Sequence, residues 1–344
     1  MIIFENRMQT AKYDTVDLFK FIGSIFIFLM HLNMFGDSST LRFSWELLAR
    51  WAVPFFFIVS SFFLFSKEVD NNIDKQTLNR YLKRLFILYL AWFIFNLPSV
   101  VYLRLIRPGI SQTETWVSFI KGALLSSTFA GSWYLLSSAF SAVIVFLLSK
   151  RFSTRTCLLI SAVPLILCLL SSAYGGLLPE SVSGVLRWLN FPLNIFGGVF
   201  YFSLGKLLFE KRGSFLKAPL WVFILLAIFS LALYFLEIKS TISSKINQSS
   251  DFAFALLPLA VSIALFCLKA KWQIPNSESL RKMSTIIYCA QGNVLCAVSF
   301  IGKYLGVPSF YYRGLIGIVI MALLVMLILY SQKCQKPSFV KYLT

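Results

Sequence analysis

Long apolar runs follow one another along almost the whole chain, and they constrain its fold more than any other feature. A helix needs about 20 apolar residues to cross roughly 30 Å of hydrocarbon. Only 13% of the 344 residues are charged, about half the share of an ordinary soluble domain. We therefore predict an all-α, polytopic integral membrane protein, with about ten transmembrane helices in a single domain over residues 1–344. The predicted spans lie near 17–35, 47–66, 82–103, 132–149, 156–174, 188–210, 216–237, 252–269, 285–303 and 311–331.

The distribution of lysine and arginine predicts the orientation of these spans. Of the 32 basic residues, 22 lie at the N-terminus, in alternate loops or in the C-terminal tail. Cytoplasmic loops carry the basic excess in membrane proteins. We expect both termini in the cytoplasm of a bacterial inner or plasma membrane, in contact with membrane lipids. The net charge of +18 is spread between apolar runs and forms no continuous patch, so nucleic acid is not an expected partner.

The sequence lacks the motifs of several common kinds of site. The six cysteines show no paired spacing, so they predict neither a disulfide framework nor a zinc site. We find no glycine-rich phosphate loop and no Ser-His-Asp order. The expectation is therefore that the protein binds no metal and no resident cofactor.

One segment outside the predicted spans allows two interpretations. The loop from Ile110 to Gly131 is long, and its stretch Trp116 to Leu125 has the character of a short amphipathic helix lying at the membrane surface. An ordinary loop is the favoured interpretation.

The first predicted span carries polar side chains on one stripe. Lys20 and His31 are eleven positions apart, which brings them to within about 20° of the same helix face. Asp17 and Ser24 fall within about 40° of that face. No small-residue cleavage site ends this run, so we interpret it as a retained helix and not as a signal peptide.

His31 is the only histidine of the chain, and two interpretations of it remain open. In the first, Asp17 and Lys20 form an ordinary interfacial pair, and His31 only hydrogen-bonds a neighbouring helix. In the second, His31 is a general base, because a neutral imidazole can take a proton from an alcohol near neutral pH. An ionisable group inside a membrane span is a functional candidate by default.

The chain resembles the membrane-bound acyltransferase-3 family. That family opens with a basic residue, ten residues and then histidine, and the stretch YDTVDLFKFIGSIFIFLMHL supplies this pattern with Lys20 and His31. Further matching stretches follow in the family's order: FFFIVSSFFLF, RYLKRLFILYLAWF, GSWYLL, YFSLGKLLF and MSTIIYCAQ. The family consists of ten-helix enzymes that move acyl groups, often acetyl from coenzyme A, onto hydroxyls of surface glycans or lipid-linked sugars.

The resemblance implies roles for individual residues. His31 would be the catalytic base, with Asp17 as the second catalytic candidate on the same stripe, and Lys20 would bind the donor. The cluster Arg80, Lys83 and Arg84 would hold the phosphates of coenzyme A. Positive-inside topology and anionic lipid explain this cluster equally well.

Three further candidates concern the acceptor substrate. Trp133 and Tyr134 either belong to an interfacial aromatic belt, the default, or stack on a sugar ring. Gln291 stands where the family often has a second histidine, and an amide cannot exchange a proton near neutral pH. Two other positions depart from the family, since Lys20 replaces a common arginine and Ser60-Ser61 replaces a Ser-Gly step.

The predicted function is that of a membrane O-acyltransferase. It would use acyl-CoA, in the simplest case acetyl-CoA, as co-substrate and a surface polysaccharide or lipid-linked sugar as acceptor. The alternative is an exporter or flippase of a surface polysaccharide, because the same architecture would form a polar path without covalent chemistry.

Overall fold

We describe the protein from a computed structural model that places residues 13–33, 39–67, 74–102, 112–215, 217–304, 306, 310–334 and 338–344. These residues form helices and no strand, because a helix satisfies its own backbone N–H and C=O groups where water is absent. The α-helices are α1 (Asp14–Leu32), α2 (Ser39–Ala49), α3 (Ala52–Phe65), α4 (Lys75–Val101), α5 (Gln112–Leu125), α6 (Ser132–Ser149), α7 (Thr154–Leu170), α8 (Glu180–Trp188), α9 (Val199–Glu210), α10 (Arg212–Phe215), α11 (Leu220–Ser243), α12 (Leu256–Lys269), α13 (Ser277–Tyr304) and α14 (Phe310–Lys333). Two 3₁₀ helices cover Gly175–Leu177 and Ser338–Leu343.

Seven stretches of the described chain are long and apolar enough to cross a membrane. They are Asp14–Leu32, Thr40–Phe65, Lys75–Val101, Ser132–Ser149, Leu220–Ser243, Ser277–Tyr304 and Phe310–Lys333. The three other predicted spans correspond to the shorter helices α7, α9 and α12, of 17, 12 and 14 residues. The all-helical membrane architecture is therefore confirmed, and the count of about ten spans is not.

The segment 188–210 was predicted as one span, but it is not one helix. Helix α8 ends at Trp188 and α9 begins at Val199. Between them Asn190 adopts a left-handed conformation with φ of 58°, which does not continue a right-handed helix. Pro192 follows and lacks the N–H group that a helix interior needs.

The favoured prediction of an ordinary loop for Trp116 to Leu125 was wrong. This stretch belongs to helix α5. Trp116, Ile120 and Leu124 are between 54% and 68% exposed and recur every four residues, so they form one apolar stripe along the helix. This outward-facing stripe is typical of a helix that lies against the membrane surface.

Helix α3 lies at the centre of the bundle and touches α1, α6, α9 and α12. Nearly all of its side chains are buried. Its contact with α9 is close because Gly205, on α9, has no side chain. A Cβ atom at Gly205 would lie 2.6 Å from Ser61 Cβ and closer still to the carbonyl oxygen of Ile58.

Helix α1 runs parallel to α13, and polar contacts hold the pair together near their N-terminal ends. The hydroxyl of Ser277 donates to the Asp14 carboxylate over 2.8 Å, and that of Ser284 donates to the carbonyl of Lys20 over 2.9 Å. One step before α13, the backbone N–H of Ile274 also donates to Asp14 over 3.1 Å. These contacts fix the position of α1 along the bundle.

An ion pair joins the α2–α3 corner to the connection between α11 and α12. The Arg50 guanidinium donates to the Asp251 carboxylate, and the two side chains are 21% and 13% exposed. The same connection is anchored by Tyr234, whose hydroxyl donates to the carbonyl of Ser250 over 2.6 Å. Glu237 accepts hydrogen bonds of 2.7 and 2.8 Å from the backbone N–H groups of Phe254 and Ala255, at the start of α12.

The close approach of α3 and α9 predicts that Gly205→Ala destabilises the protein by about 1–3 kcal/mol, the usual cost of overpacking. The added methyl group would meet the backbone carbonyl of Ile58, and a backbone group cannot move aside as a flexible side chain would. Gly213→Ala is the control, because nothing lies within 4 Å of its added Cβ. Thermal unfolding in detergent can be followed with a thiol-reactive dye, since Cys157, Cys168, Cys267 and Cys289 are buried. Equal midpoints for the two variants would contradict the prediction.

The Arg50–Asp251 pair yields a second stability prediction. Each single change, Arg50→Met or Asp251→Leu, leaves one partly buried charge without its partner and should destabilise the protein by about 1–3 kcal/mol, less than the cost of breaking a fully buried pair. The double variant leaves neither charge, so it should be more stable than the sum of the single changes predicts. Additive losses in the same thermal assay would show that the pair does not couple.

Candidate active site

The predicted general base, His31, lies in the last turn of α1, one residue before the helix ends. Asn33 follows in a left-handed conformation with φ of 49° and terminates the helix. His31 keeps accessible surface at this helix end. The charged groups that act on it electrostatically are Arg50, Asp251 and Glu46.

The structure thus brings the Arg50–Asp251 pair within electrostatic range of His31, although sequence reasoning had singled out neither residue. The two are separated by 201 positions, and no motif spacing connects them. Their only sequence signal is that each is a charge next to an apolar run. A cation and a carboxylate therefore accompany the only imidazole of the chain.

Asp17 lies at the opposite end of α1. Its carboxylate is 3.6 Å from the Arg281 guanidinium, and 14 residues separate it from His31, which is about 21 Å along the helix axis. The structure therefore does not bring Asp17, the second predicted catalytic residue, to the imidazole. The carboxylates that act on His31 electrostatically are Asp251 and Glu46.

Lys20 lies close to Asp17 and is surrounded by further cations. Its charge interacts with those of Asp17, Arg281 and Arg84, and its Nζ lies 6.0 Å from the centre of the Phe63 ring. Arg281 was not among the predicted site residues. Three cations from α1, α4 and α13 thus gather at the N-terminal end of α1.

The predicted phosphate cluster forms part of a pocket next to this group. Arg80, Lys83 and Arg84 line a cavity of about 270 Å³ together with Ile87, Leu88, Tyr342 and Thr344. All three basic side chains are exposed. Their spacing of three and four residues places them on one face of α4, so the structure brings the three predicted residues together.

Trp133 and Tyr134 lie inside the bundle, where they pack against α3. Trp133 is 9% exposed, and its ring centre lies 5.9 Å from that of Phe57. The Tyr134 ring contacts those of Phe57 and Tyr288, and its hydroxyl is 3.1 Å from Ser60 Oγ. Burial of Trp133 does not agree with the default interpretation of an interfacial belt, because a belt residue would face outward.

Gln291 is 1% exposed on α13 and lies beside the α6 N-terminus. A Cβ atom on Gly131 would come within 2.8 Å of its Nε2 atom, and Gly131 itself has a φ of 83°. The Oε1 atom of Gln291 is buried without a hydrogen-bond partner. Gln291 and Tyr134 both border Tyr288 in the layer between the two ends of α1.

The site therefore has two polar ends joined by one helix. A cationic end contains Lys20, Arg84 and Arg281, and an imidazole end contains His31 with Arg50 and Asp251. Lys20 and His31 are separated by about 16 Å along α1, at roughly 1.5 Å per residue. Across the part of the chain that the structure describes, no group of three His, Cys, Asp or Glu side chains is arranged to hold a metal ion.

Comparison with known proteins identifies relatives of this chain. The chain is similar to two proteins of Enterococcus faecalis named amino-acid racemase. One is 28% identical over 219 residues, which are 61% of this chain and 30% of that protein. The other is 22% identical over 324 residues, which are 86% of this chain and 42% of that protein. The chain thus spans less than half the length of each relative, and no solved structure matches it significantly.

The sequence model of the acyltransferase-3 family, described as an acyltransferase domain, matches residues 13–331. This range includes α1 with Lys20 and His31, the basic cluster of α4 and the start of α13 with Arg281. The matched helices are the apolar stretches that suit a membrane. The protein therefore belongs to the acyltransferase-3 family of membrane acyltransferases.

Proposed function

We propose that this acyltransferase moves an acyl group, in the simplest case acetyl, from acyl-CoA to a hydroxyl of a surface polysaccharide or lipid-linked sugar. One observation carries the proposal: helix α1 presents a cationic group at one end and the only imidazole at the other. A phosphorylated donor suits the first end, and proton transfer suits the second. The long pantetheine arm of coenzyme A would connect them.

The cationic end would bind the charged part of the donor. Arginine and lysine donors make charge-assisted hydrogen bonds to phosphate oxygens, and Lys20, Arg84 and Arg281 come from three different helices. Asp17 offsets part of this charge through its contact with Arg281. In this proposal Asp17 orients a phosphate-binding arginine and takes no part in proton transfer at His31.

The imidazole end would carry out the transfer. The neutral imidazole of His31 takes the proton of the acceptor hydroxyl, and the hydroxyl oxygen attacks the thioester carbonyl. The carbon–sulfur bond then breaks, and the departing thiolate recovers the proton from the imidazolium. Arg50 is the cation that acts on His31, so it would stabilise negative charge on the carbonyl oxygen during the attack.

Contacts between the basic segments support the proposed orientation in the membrane. Arg84, before the apolar part of α4, acts on Lys20 at the start of α1. Thr15 of α1 donates to the carbonyl of Ala270 over 2.5 Å, and Thr154 donates to the Glu210 carboxylate over 2.5 Å. Arg212 acts electrostatically on Tyr13, one residue before α1, and so joins these two groups of contacts. Loops with the basic excess thus meet, and we take their side of the bundle as the cytoplasmic side of the cell membrane.

The orientation predicts the outcome of topology mapping. Reporters inserted after Lys75, Arg212 and Lys341 should read cytoplasmic, and reporters after Glu114 and Lys245 should read external. An external signal at Lys341 would require an odd number of spans and would contradict the proposed location of both termini.

The role of His31 predicts that His31→Gln lowers acyl transfer by roughly 10²–10⁴-fold, the usual contribution of a general base. Glutamine keeps the hydrogen-bonding capacity of the side chain but cannot take the proton. Transfer of radiolabelled acetyl from acetyl-CoA should be compared in membranes that hold equal amounts of each protein. Met30→Leu, at the neighbouring position of the same helix turn, is the matched control and should keep the wild-type rate.

Normal turnover by His31→Gln would remove the general base from the mechanism. Surface display of the polysaccharide without acylation in the same cells would then support the exporter or flippase alternative. Loss of transfer in both His31→Gln and Met30→Leu would indicate damage to the end of α1 and would also contradict a specific role of the imidazole.

A further inference from the structure

The last helix of the described chain lies against the cationic pocket of α4. Tyr342 and Thr344 line the cavity of about 270 Å³ together with Arg80, Lys83 and Arg84. The sequence predicted phosphate binding for the three basic residues and assigned nothing to the segment 338–344. This segment, which we call the tail, supplies the wall of the pocket opposite α4.

The tail is held in place by hydrogen bonds and by burial. Trp92 of α4 donates through Nε1 to the carbonyl of Leu343 over 3.1 Å. Gln332 of α14 donates to the carbonyl of Val340 over 2.9 Å and to Thr344 Oγ1 over 3.0 Å. Leu343 is 1% exposed. These contacts fix the backbone of the tail, and Tyr342, which is 43% exposed, lines the pocket.

The lining of the pocket is selective for an anion with an apolar part. The charged side chains that line it are all cations. Ile87, Leu88 and the Tyr342 ring add apolar surface. A phosphate cluster attached to a planar base matches this combination, because cations bind phosphate and an aromatic ring stacks on a base of any kind.

The position of the pocket connects it to the proposed reaction. Arg84 lines the pocket and also acts on Lys20, so the pocket is adjacent to the cationic end of α1. Its volume of about 270 Å³ is at the lower limit of ligand sites and suits the nucleotide end of a donor better than a whole coenzyme A molecule. The remaining arm of the donor would leave the pocket past Arg84 toward α1.

We propose that the tail completes the donor site, with the Tyr342 ring stacked on the adenine of coenzyme A and the Thr344 hydroxyl bound to one of its phosphates. This proposal rests on the proposed function, since it takes acyl-CoA as the donor. Arg80, Lys83 and Arg84 bind the phosphates from the opposite wall. Gln332 is a positioning residue, because it holds the tail and does not line the pocket.

The test is direct binding to the full chain, purified in detergent. The probes are coenzyme A, adenosine 3′,5′-bisphosphate as its nucleotide part, and pantetheine as its arm without the nucleotide. Tyr342→Ala should raise the Kd of coenzyme A and of the bisphosphate by about tenfold, within the range for loss of one stacked base. It should leave pantetheine binding unchanged.

Three further variants separate stacking from folding. Tyr342→Phe keeps the ring and should bind as the wild type does, whereas Gln332→Ala should weaken both nucleotide probes by releasing the tail. Arg80→Ala with Arg84→Ala should abolish measurable bisphosphate binding. Tyr304→Ala removes an aromatic side chain that is 67% exposed at the end of α13 and should change nothing.

Each contrary outcome has a distinct meaning. If the wild type and Tyr342→Ala bind coenzyme A equally well, the tail has no role and the proposed function still stands. If the wild type binds none of the three probes, acyl-CoA is not the donor and both proposals fail. The pocket instead holds a lipid headgroup if phosphatidylglycerol raises the Tm of the wild type but not of the Arg80/Arg84 variant, while the bisphosphate does not bind.

Discussion

The docking of α1 against α13 determines the rest of the site. Inside a bilayer, apolar contacts between helices give little specificity, because lipid tails are as apolar as the side chains they replace. Polar contacts supply it here: Asp14 accepts from Ser277, and the carbonyl of Lys20 accepts from Ser284. A shift of α1 by one turn would break these bonds and would also separate Lys20 from Arg281 and Arg84.

The two ends of α1 use charge differently. At the N-terminal end the cations Lys20 and Arg281 act on Asp17, whose carboxylate also interacts with those of Asp14 and Glu278. In the proposed function the lysine and arginine groups of this end bind the phosphates of the donor. At the other end Arg50 is paired with Asp251, and both act on His31. A cation and an anion that are paired suit an imidazole that must stay neutral to act as a base.

Between these ends lies a layer that is mainly aromatic. Tyr134 contacts Phe56, Phe57 and Tyr288, and Gln291 borders the same layer. Helix α3 supplies the two phenylalanines, and its close contact with α9 at Gly205 keeps it central. This packing separates the two polar ends, so the proposed donor, bound at the cationic end, would extend along α1 to react at His31.

The sequence by itself determined the helical membrane class, the first helix with Lys20 and His31, and the basic cluster of α4, because apolar run length, helical spacing and charge sidedness are local properties. Tertiary structure decided the rest. Only the fold could bring Arg50 and Asp251, 201 positions apart, together within electrostatic range of His31, or bring Arg281 to Asp17 and Tyr342 to Arg80. The fold also divides the predicted span 188–210 into two helices, because the left-handed turn at Asn190 ends a helix even where the sequence stays apolar. It makes Trp116 to Leu125 part of helix α5, whose apolar stripe faces outward. Contacts between distant segments leave no periodic signal in a single sequence, and the partners of α1 are set by how the helices pack.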